Sequence, residues 1–433
     1  MITTGILLAG SLLLIAAGET GESAAGSEFA PLILGLALLV VGAKLGGFLA
    51  ERLGQPSVLG ELLFGIALAN LSPLVGGGSG IEFVRSNETL RFLAEVGVLI
   101  LLFDVGLETD LRAFQKVGLS AVLVALIGVT VPFFLGWSIA IWLLPDSPGF
   151  SHVFIGATLT ATSVGITVRV LKDLGVIGRP EGQTIIGSAI LDDVLGLIIL
   201  AVVVGSITGG GPEGESISIV SILSIVLKAA AFLGVTVLAG HYLSPRIVGI
   251  LGHEHGTFLI IGVALCFTFA YIAEVIGLAD IIGAFAAGVF LDPYGVGIRT
   301  KTAAVTLREL LTPLSDVFVP LFFVLMGLQV DLASLADPSA LVLGILLIIG
   351  AIIGKLACGL GVVGRGINRL AVGVGMIPRG EVGLIFAGIG ARVIIDNQPI
   401  LSQNVYSAVV MMVLITTLVT PLGLRWVFRR KAH

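Results

Sequence analysis

Asp192 and Asp193 stand side by side in Ile190-Leu191-Asp192-Asp193-Val194-Leu195-Gly196-Leu197, near the middle of an apolar run from Thr184 to Ser206. An ionisable residue at the centre of a membrane-length helix costs at least about 2.5 kcal/mol, and chains carry such residues where ions or protons must bind. Consecutive residues on a helix diverge by about 100°, so the two carboxylates cannot face one point. One can face an ion cavity while its neighbour faces another helix. Burial and a nearby like charge both move a carboxylate's titration and couple it to its neighbour's. A carboxylate tuned in this way lets a proton and a cation compete for the same oxygens, which is the requirement of an antiporter site. An intramembrane aspartyl protease also needs two buried aspartates, but they must share a proton from different helices. No enzymatic activity is expected.

Other polar residues lie at membrane depth. Lys355, in Gly354-Lys355-Leu356-Ala357-Cys358-Gly359, is a buried ammonium in need of a partner, and by chemistry the aspartates are the candidates. Thr158-Leu-Thr-Ala-Thr-Ser-Val-Gly-Ile-Thr167 and Gly375-Met-Ile-Pro-Arg-Gly-Glu-Val-Gly383 interrupt two further apolar segments. Pro378 removes a backbone donor and Gly380 favours irregular backbone. Such interruptions must line a cavity or be buried in protein, because lipid cannot satisfy free backbone groups. Arg379 and Glu381 can offset the partial charges of half-helix ends, which makes them support for a helix crossing. Thr162 and Ser163 offer hydroxyl oxygens, either to a small monovalent cation or to carbonyls of their own helix. His241, His253 and His255 read as residues of one loop. Lys228 reads as a helix-surface or snorkelling residue, and Glu61, Glu95, Asp104, Asp280 and Asp316 lie near segment edges.

These residues need helices to hold them. The chain has 433 residues, 56% hydrophobic and only 12% charged. That charge fraction is about half that of a soluble domain, and repeated apolar runs of about 20 residues define an all-α polytopic membrane protein. Fourteen such segments are read near 2–17, 30–51, 57–75, 92–107, 117–144, 152–171, 184–206, 217–243, 256–275, 278–291, 312–328, 339–363, 370–391 and 402–427. Residues 1–29 form either a signal peptide or an extra span with an acidic linker; residues 30–427 form the membrane domain, and 428–433 a short basic tail. The 60 glycines suit close helix contact in lipid. Cys266 and Cys358 fall inside apolar segments and read as packing thiols. The net charge of −5 gives no sign of a nucleic-acid partner. Lys and Arg concentrate in one alternate set of loops, including Arg169, Lys172 and Arg179 and the C-terminal Arg429, Arg430 and Lys431. The positive-inside rule puts those loops and the C-terminus in the cytoplasm.

The chain also repeats. Leu93-Ala-Glu-Val-Gly-Val-Leu-Ile-Leu-Leu-Phe-Asp-Val-Gly-Leu-Glu-Thr-Asp-Leu111 aligns with Leu314-Ser-Asp-Val-Phe-Val-Pro-Leu-Phe-Phe-Val-Leu-Met-Gly-Leu-Gln-Val-Asp-Leu332, and Gly60-x-x-x-x-Gly65 is echoed by Gly283-x-x-x-x-Gly288. The copies are an odd number of spans apart, so equivalent helices run in opposite directions. That is the inverted repeat of secondary transporters, whose sites lie at the midplane.

Together, Ala161-Thr-Ser-Val-Gly-Ile-Thr167, Ile190-Leu-Asp-Asp-Val-Leu-Gly-Leu197, Gly354-Lys355 and Met376-Ile-Pro-Arg-Gly-Glu-Val-Gly-Leu384 resemble bacterial sodium/proton antiporters of the cation:proton antiporter-2 family. The resemblance runs from about residue 30 to 427. It implies thirteen core helices in two inverted six-helix repeats (about 30–206 and 256–427), joined by a linker helix at 217–243. It further implies a homodimer with a mobile core domain and a fixed dimer domain, working by an elevator-like motion; location in the cell inner membrane and no cofactor are expected. By position, Asp193 is the essential carboxylate for sodium and protons, and Asp192 pairs with Lys355 in the ion-free state. Thr162 and Ser163 shape the ion site, and Glu381 sits by the second break. The Asp-Asp pair accompanies electrogenic exchange of sodium, or lithium, for protons. Potassium/proton exchange on the same scaffold is the close alternative. A sodium-coupled solute symporter is a weaker one, since no polar or aromatic cluster suggests an organic pocket.

Overall fold

In a computed structural model of the chain, residues 29–71, 78–109, 118–163, 167–168, 170–171, 174–176, 178–208, 219–251, 255–292, 306–333, 337–364, 366–395 and 398–429 are described. For some helical residues, among them Asp193 and Glu381, only the backbone is described, and their side chains lie outside the described residues. The leader or extra span expected before residue 29, His253 and the last four residues of the basic tail also lie outside them.

The chain is helical throughout, as apolar sequence in lipid requires. In order, the helices are α1 (Phe29–Arg52), α2 (Ser57–Leu71), α3 (Gly78–Ser86), α4 (Glu88–Glu108), α5 (Leu119–Leu143), α6 (Gly149–Thr158), α7 (Pro180–Thr208), α8 (Ile219–Leu251) and α9 (His255–Val275). They continue with α10 (Asp280–Leu291), α11 (Leu307–Leu328), α12 (Pro338–Leu356), α13 (Arg369–Gly375), α14 (Glu381–Arg392) and α15 (Gln403–Arg429). A two-residue antiparallel hairpin, β1 (Ile394–Ile395) and β2 (Gln398–Pro399), separates α14 from α15. Eight of the described helices are long and apolar enough to cross a membrane, and Ser57–Leu71, Asp280–Leu291 and Val382–Arg392 are shorter apolar helices.

Several elements depart from the hydropathy reading. The segment expected at 152–171 stops as a helix at Thr158, and the one at 370–391 divides into α13 and α14. Hydropathy averaged over about 20 residues joins the two parts of each segment, although clustered hydroxyls mark the first interruption and Pro378-Arg379-Gly380-Glu381 the second. The eighth segment, expected to end at 243, runs on as helix to Leu251; His241, read as a loop residue, lies within that helix against Tyr242. Helix α3 was not anticipated. It is short and polar on one side, and among its described side chains Ile81 and Val84, one turn apart, are the buried ones. Lys228 reaches the carbonyl of Ile276 at 3.4 Å from the surface of α8.

The described chain forms two compact units. One takes in residues up to Val98 together with Pro313–Ala340; the other takes in Leu99–Thr312 and everything from Leu341 onward. In the first unit α1 and α2 form a hairpin that turns at Gly54, whose φ of 70° is in the left-handed region that favours glycine. The Gly54 N–H donates to Glu51 O at 3.0 Å and the Gln55 N–H to Ala50 O at 2.9 Å. Gly60 lies against the carbonyl of Gly46, where a side chain would collide with it. Gly65 of α2 meets Val324 and Gly327 of α11 in the same way. Glu61 is buried on α2, and Lys44 pairs with Asp316 at 3.0 Å.

In the second unit α9 and α10 form a hairpin that turns at Gly277 (φ 82°), with the Gly277 N–H on Glu274 O at 2.9 Å and the Leu278 N–H on Ala273 O at 2.8 Å. Gly283 lies against the carbonyl of Phe269, and Gly288 against Phe103 and Gly106 of α4. Arg308 bridges to Asp104 at 3.1 Å and also to Glu108. Helices α5, α6, α7, α12, α13, α14 and α15 also belong to this unit, apart from the first residues of α12.

Candidate functional site

The site begins where two helices stop. At the end of α6 the hydroxyls of Thr158 and Thr160 donate to Ile155 O (2.7 Å) and Ala157 O (2.8 Å), the latter also accepting the Thr160 N–H at 3.0 Å, so that last-turn carbonyls are satisfied locally. The chain then runs non-helically through Ala161, Thr162 and Ser163. Helix α13 ends at Gly375, and residues 377–380 are likewise non-helical before α14 begins at Glu381. Pro378 lacks the N–H that a continuous helix would use.

The two interruptions satisfy each other. The Ser163 N–H donates to Pro378 O at 2.8 Å, and the Thr167 hydroxyl to Gly375 O at 2.7 Å. The Arg379 guanidinium, fully buried, donates through Nη1 to Thr160 O at 3.1 Å and also to Ala161 O. A cation therefore sits at the C-terminal end of α6, where the helix dipole favours it. Helix α15 holds Arg379 from the other side. The Thr417 hydroxyl donates to Arg379 O at 2.6 Å, and Thr416 Oγ1 accepts from the Arg379 N–H at 3.4 Å. Helix α13 is tied to the start of α7 through Asn368, which caps it (Oδ1 accepting from Leu370 N at 3.1 Å) and donates its own N–H to Glu181 Oε1 at 3.0 Å.

Lys355 and Asp192 meet beside this crossing. The ammonium donates to both carboxylate oxygens, at 2.9 Å to Oδ1 and 3.1 Å to Oδ2, and both side chains have no solvent exposure. Snorkelling of Lys355 is thereby ruled out. Lys355 is in the last turn of α12, just before a 3₁₀ stretch at Ala357–Gly361. Arg379 is close enough to interact electrostatically with both members of the pair. Among the described buried groups here, one carboxylate, bonded to Lys355, offsets two cations.

Three polar atoms at the crossing have no hydrogen-bond partner among the described residues: Thr162 Oγ1, Arg379 Nε and Arg379 Nη2. Buried polar groups are ordinarily satisfied; of the three, only the Thr162 oxygen can ligate a cation, while the two Arg379 nitrogens are donors that take water or an acceptor side chain. Of the residues singled out from sequence, Asp192, Lys355, Thr162, Ser163 and Arg379 come together in this unit. Asp193 is on α7 and Glu381 opens α14, with side chains outside the described residues. Among the described residues no group of His, Cys, Asp and Glu is arranged to hold a metal ion.

Sequence reasoning missed four contributors. Thr416 and Thr417 stand together in the apolar middle of α15, and a paired-threonine signal was there to be read. Gly128, on α5, faces the ion pair, and Cys358, noted only as a packing thiol, lies at the same spot. Nothing in the linear order directs α5 toward α7 and α12.

The profile of the family described as "Sodium/hydrogen exchanger, transmembrane" matches residues 35–430. The high-affinity Na(+)/H(+) antiporter NhaS3 of Synechocystis is 36% identical over 93% of this chain and 92% of its own length. The Na(+)/H(+)-K(+) antiporter GerN of Bacillus cereus is 33% identical over 92% of this chain and 96% of its own. The solved structure of the sodium proton antiporter MjNhaP1 from Methanocaldococcus jannaschii superposes with a TM-score of 0.68, covering 89% of this chain and 94% of that one; at 17% identity the likeness is one of fold.

Proposed function

The chain belongs to the sodium/hydrogen exchanger family, and from that premise we propose that it exchanges sodium for protons across a membrane by secondary active transport. The observation that carries the reading within this chain is the buried Asp192–Lys355 pair beside two crossed helix breaks with unsatisfied polar atoms. A hydrophobic scaffold has no use for that arrangement, whereas an ion site needs oxygens and charges that can be rearranged inside the bilayer.

In this reading Asp193 is the carboxylate that takes either the cation or the proton. Asp192 holds Lys355 while the site is empty. The Thr162 hydroxyl is available to an ion, Ser163 joins the two breaks through its backbone, and Arg379 and Glu381 support the crossing. Exchange is electrogenic, the protein works as a homodimer in the cell inner membrane, and the C-terminus is cytoplasmic, in keeping with the loop charges.

The core is read as thirteen helices in two inverted repeats. Contacts inside each unit support the repeat. Residues 50, 51, 54 and 55 correspond to 273, 274, 277 and 278, and both turns make the same two hydrogen bonds around a left-handed glycine. Gly60 against Gly46 corresponds to Gly283 against Phe269, and Gly65 against Gly327 to Gly288 against Gly106. Gly97 lies against the carbonyl of Phe318, its own counterpart in the alignment.

Potassium is the second cation to consider, because GerN, similar over nearly its full length, is named for potassium as well as sodium. The test is reconstitution in proteoliposomes with an internal pH dye, adding sodium, lithium and potassium in turn at clamped potentials. Sodium should drive a pH change whose rate depends on potential, and Asp193→Asn should abolish it. A larger response to potassium would reassign the cation, and no cation-dependent pH change would refute exchange.

A further inference from the structure

Helix α5 carries no charged residue, yet it forms one wall of the buried ion pair. A side chain placed on Gly128 would put its first carbon 2.9 Å from Cys358 Sγ, 3.3 Å from Lys355 Nζ and 3.5 Å from Asp192 Oδ1. Other glycines along the same helix contacts meet different surroundings. Gly136 faces Gly156 and Leu159, Gly354 faces Pro132, and Gly361 faces the Val124 backbone. Those are ordinary close approaches of helices. Gly128 alone among these four lies against an ammonium and a carboxylate.

Pro132 marks the same turn. A proline inside a helix leaves the carbonyl four residues earlier without its donor, and that carbonyl belongs to Gly128. The Pro132 ring in turn fills the space against Gly354, the residue before Lys355. The absent side chain at 128 and the ring at 132 therefore locate the end of α12 from one face of α5.

We propose that Gly128 is a positioning residue of the exchange site: its lack of a side chain lets the Lys355 ammonium and the Asp192 carboxylate lie together against α5, with the Cys358 thiol as the adjoining wall. This rests on the exchange reading above. The charged and titratable groups around the position are Asp192 on α7, Lys355 and Cys358 on α12 and its 3₁₀ extension, and Arg379 at the second break. Asp193 is next to Asp192 on α7. Because cation and proton bind in competition with this pair, displacing it changes the apparent affinity for both.

The experiment compares wild type, Gly128→Ala and Gly128→Ala/Cys358→Ala in proteoliposomes, reading sodium KM, maximal rate and the pH profile. Wild-type exchange is measured first, so that its absence would refute the exchange reading and not this one. Gly128→Ala is expected to move the half-maximal pH by at least about half a unit, a threefold change in proton affinity, with a matching change in sodium KM. Removing Cys358 Sγ frees the space the methyl needs, so the double variant should recover at least half of the shift. A change confined to maximal rate, an unmoved pH profile, or a double variant no closer to wild type would overturn the proposal. If Gly128→Ala is not recovered from the membrane, the double variant decides. It is expected to be recovered with a pH profile near wild type, and its loss or a persistent shift would equally overturn the assignment.

Discussion

Neutralising one member of the Asp192–Lys355 pair should cost far more than neutralising both. The two groups are fully buried and joined by two hydrogen bonds of 2.9 and 3.1 Å. At about 3 Å and an effective dielectric of about 20, two unit charges attract by roughly 5 kcal/mol. Removing one partner from a buried pair costs about 3–5 kcal/mol, while replacing both with neutral groups is often close to neutral. The surroundings make the two single losses unequal. Asp192→Asn leaves Lys355 and Arg379 as buried cations with no described buried carboxylate to offset them, whereas Lys355→Met leaves Asp192 with the electrostatic attraction of Arg379. Asp192→Asn should therefore be the more destabilising variant, and the double variant should be more stable than it by at least about 2 kcal/mol. With about 2–4 °C of melting midpoint per kcal/mol, that difference is at least about 4 °C. The assay is thermal unfolding of the purified protein in detergent without sodium, for wild type, both single variants and the double. If the two single losses simply add in the double variant, the pair carries no coupling and the reasoning fails; if Lys355→Met is the worse single variant, the charge imbalance at Arg379 has been misjudged.

Two further outcomes follow from the same geometry. Thr417→Val keeps the side-chain shape but removes the 2.6 Å hydrogen bond to the Arg379 carbonyl, which is buried; it should lower stability by about 1–3 kcal/mol, and an unchanged melting curve would show that the carbonyl has another partner. Gly65→Ala and Gly106→Ala each place a methyl against a backbone carbonyl and should both prevent recovery of folded protein, whereas Gly234→Ala, with open space around it on α8, should be neutral or stabilising by about 0.5–1 kcal/mol; normal yields of the first two would refute the close contacts.

Much of the architecture was legible because lipid leaves a chain few options. Apolar runs of spanning length must be helical, and nearly every one read from hydropathy corresponds to a described helix. The breaks at Thr158–Thr167 and Gly375–Gly383 were legible too, since proline, glycine and clustered hydroxyls weaken a helix locally. The limits had the same local origin. Helix α3 is too short for a hydropathy window, and α8 runs past its apolar stretch, where Ser244 donates to Leu291 O at 2.5 Å.

By itself the sequence determined a polytopic helical chain with two interrupted segments, buried aspartates and lysine, and a family whose motifs it carries in order. These are properties of residue type and near-neighbour spacing, and the physics behind them acts along the chain. The family resemblance named Asp192 as the partner of Lys355, but residue chemistry and spacing did not; the contact itself belongs to the tertiary structure. Asp192 and Lys355 are 163 residues apart, and both carboxylates of the Asp192-Asp193 pair were equal candidates on chemistry alone. The pairing depends on where α5 lets α7 and α12 approach, and a missing side chain at Gly128 sets that approach. A void of this kind has no sequence signature, because a glycine that clears space for an ion pair is spelled like any of the others that clear space for a helix.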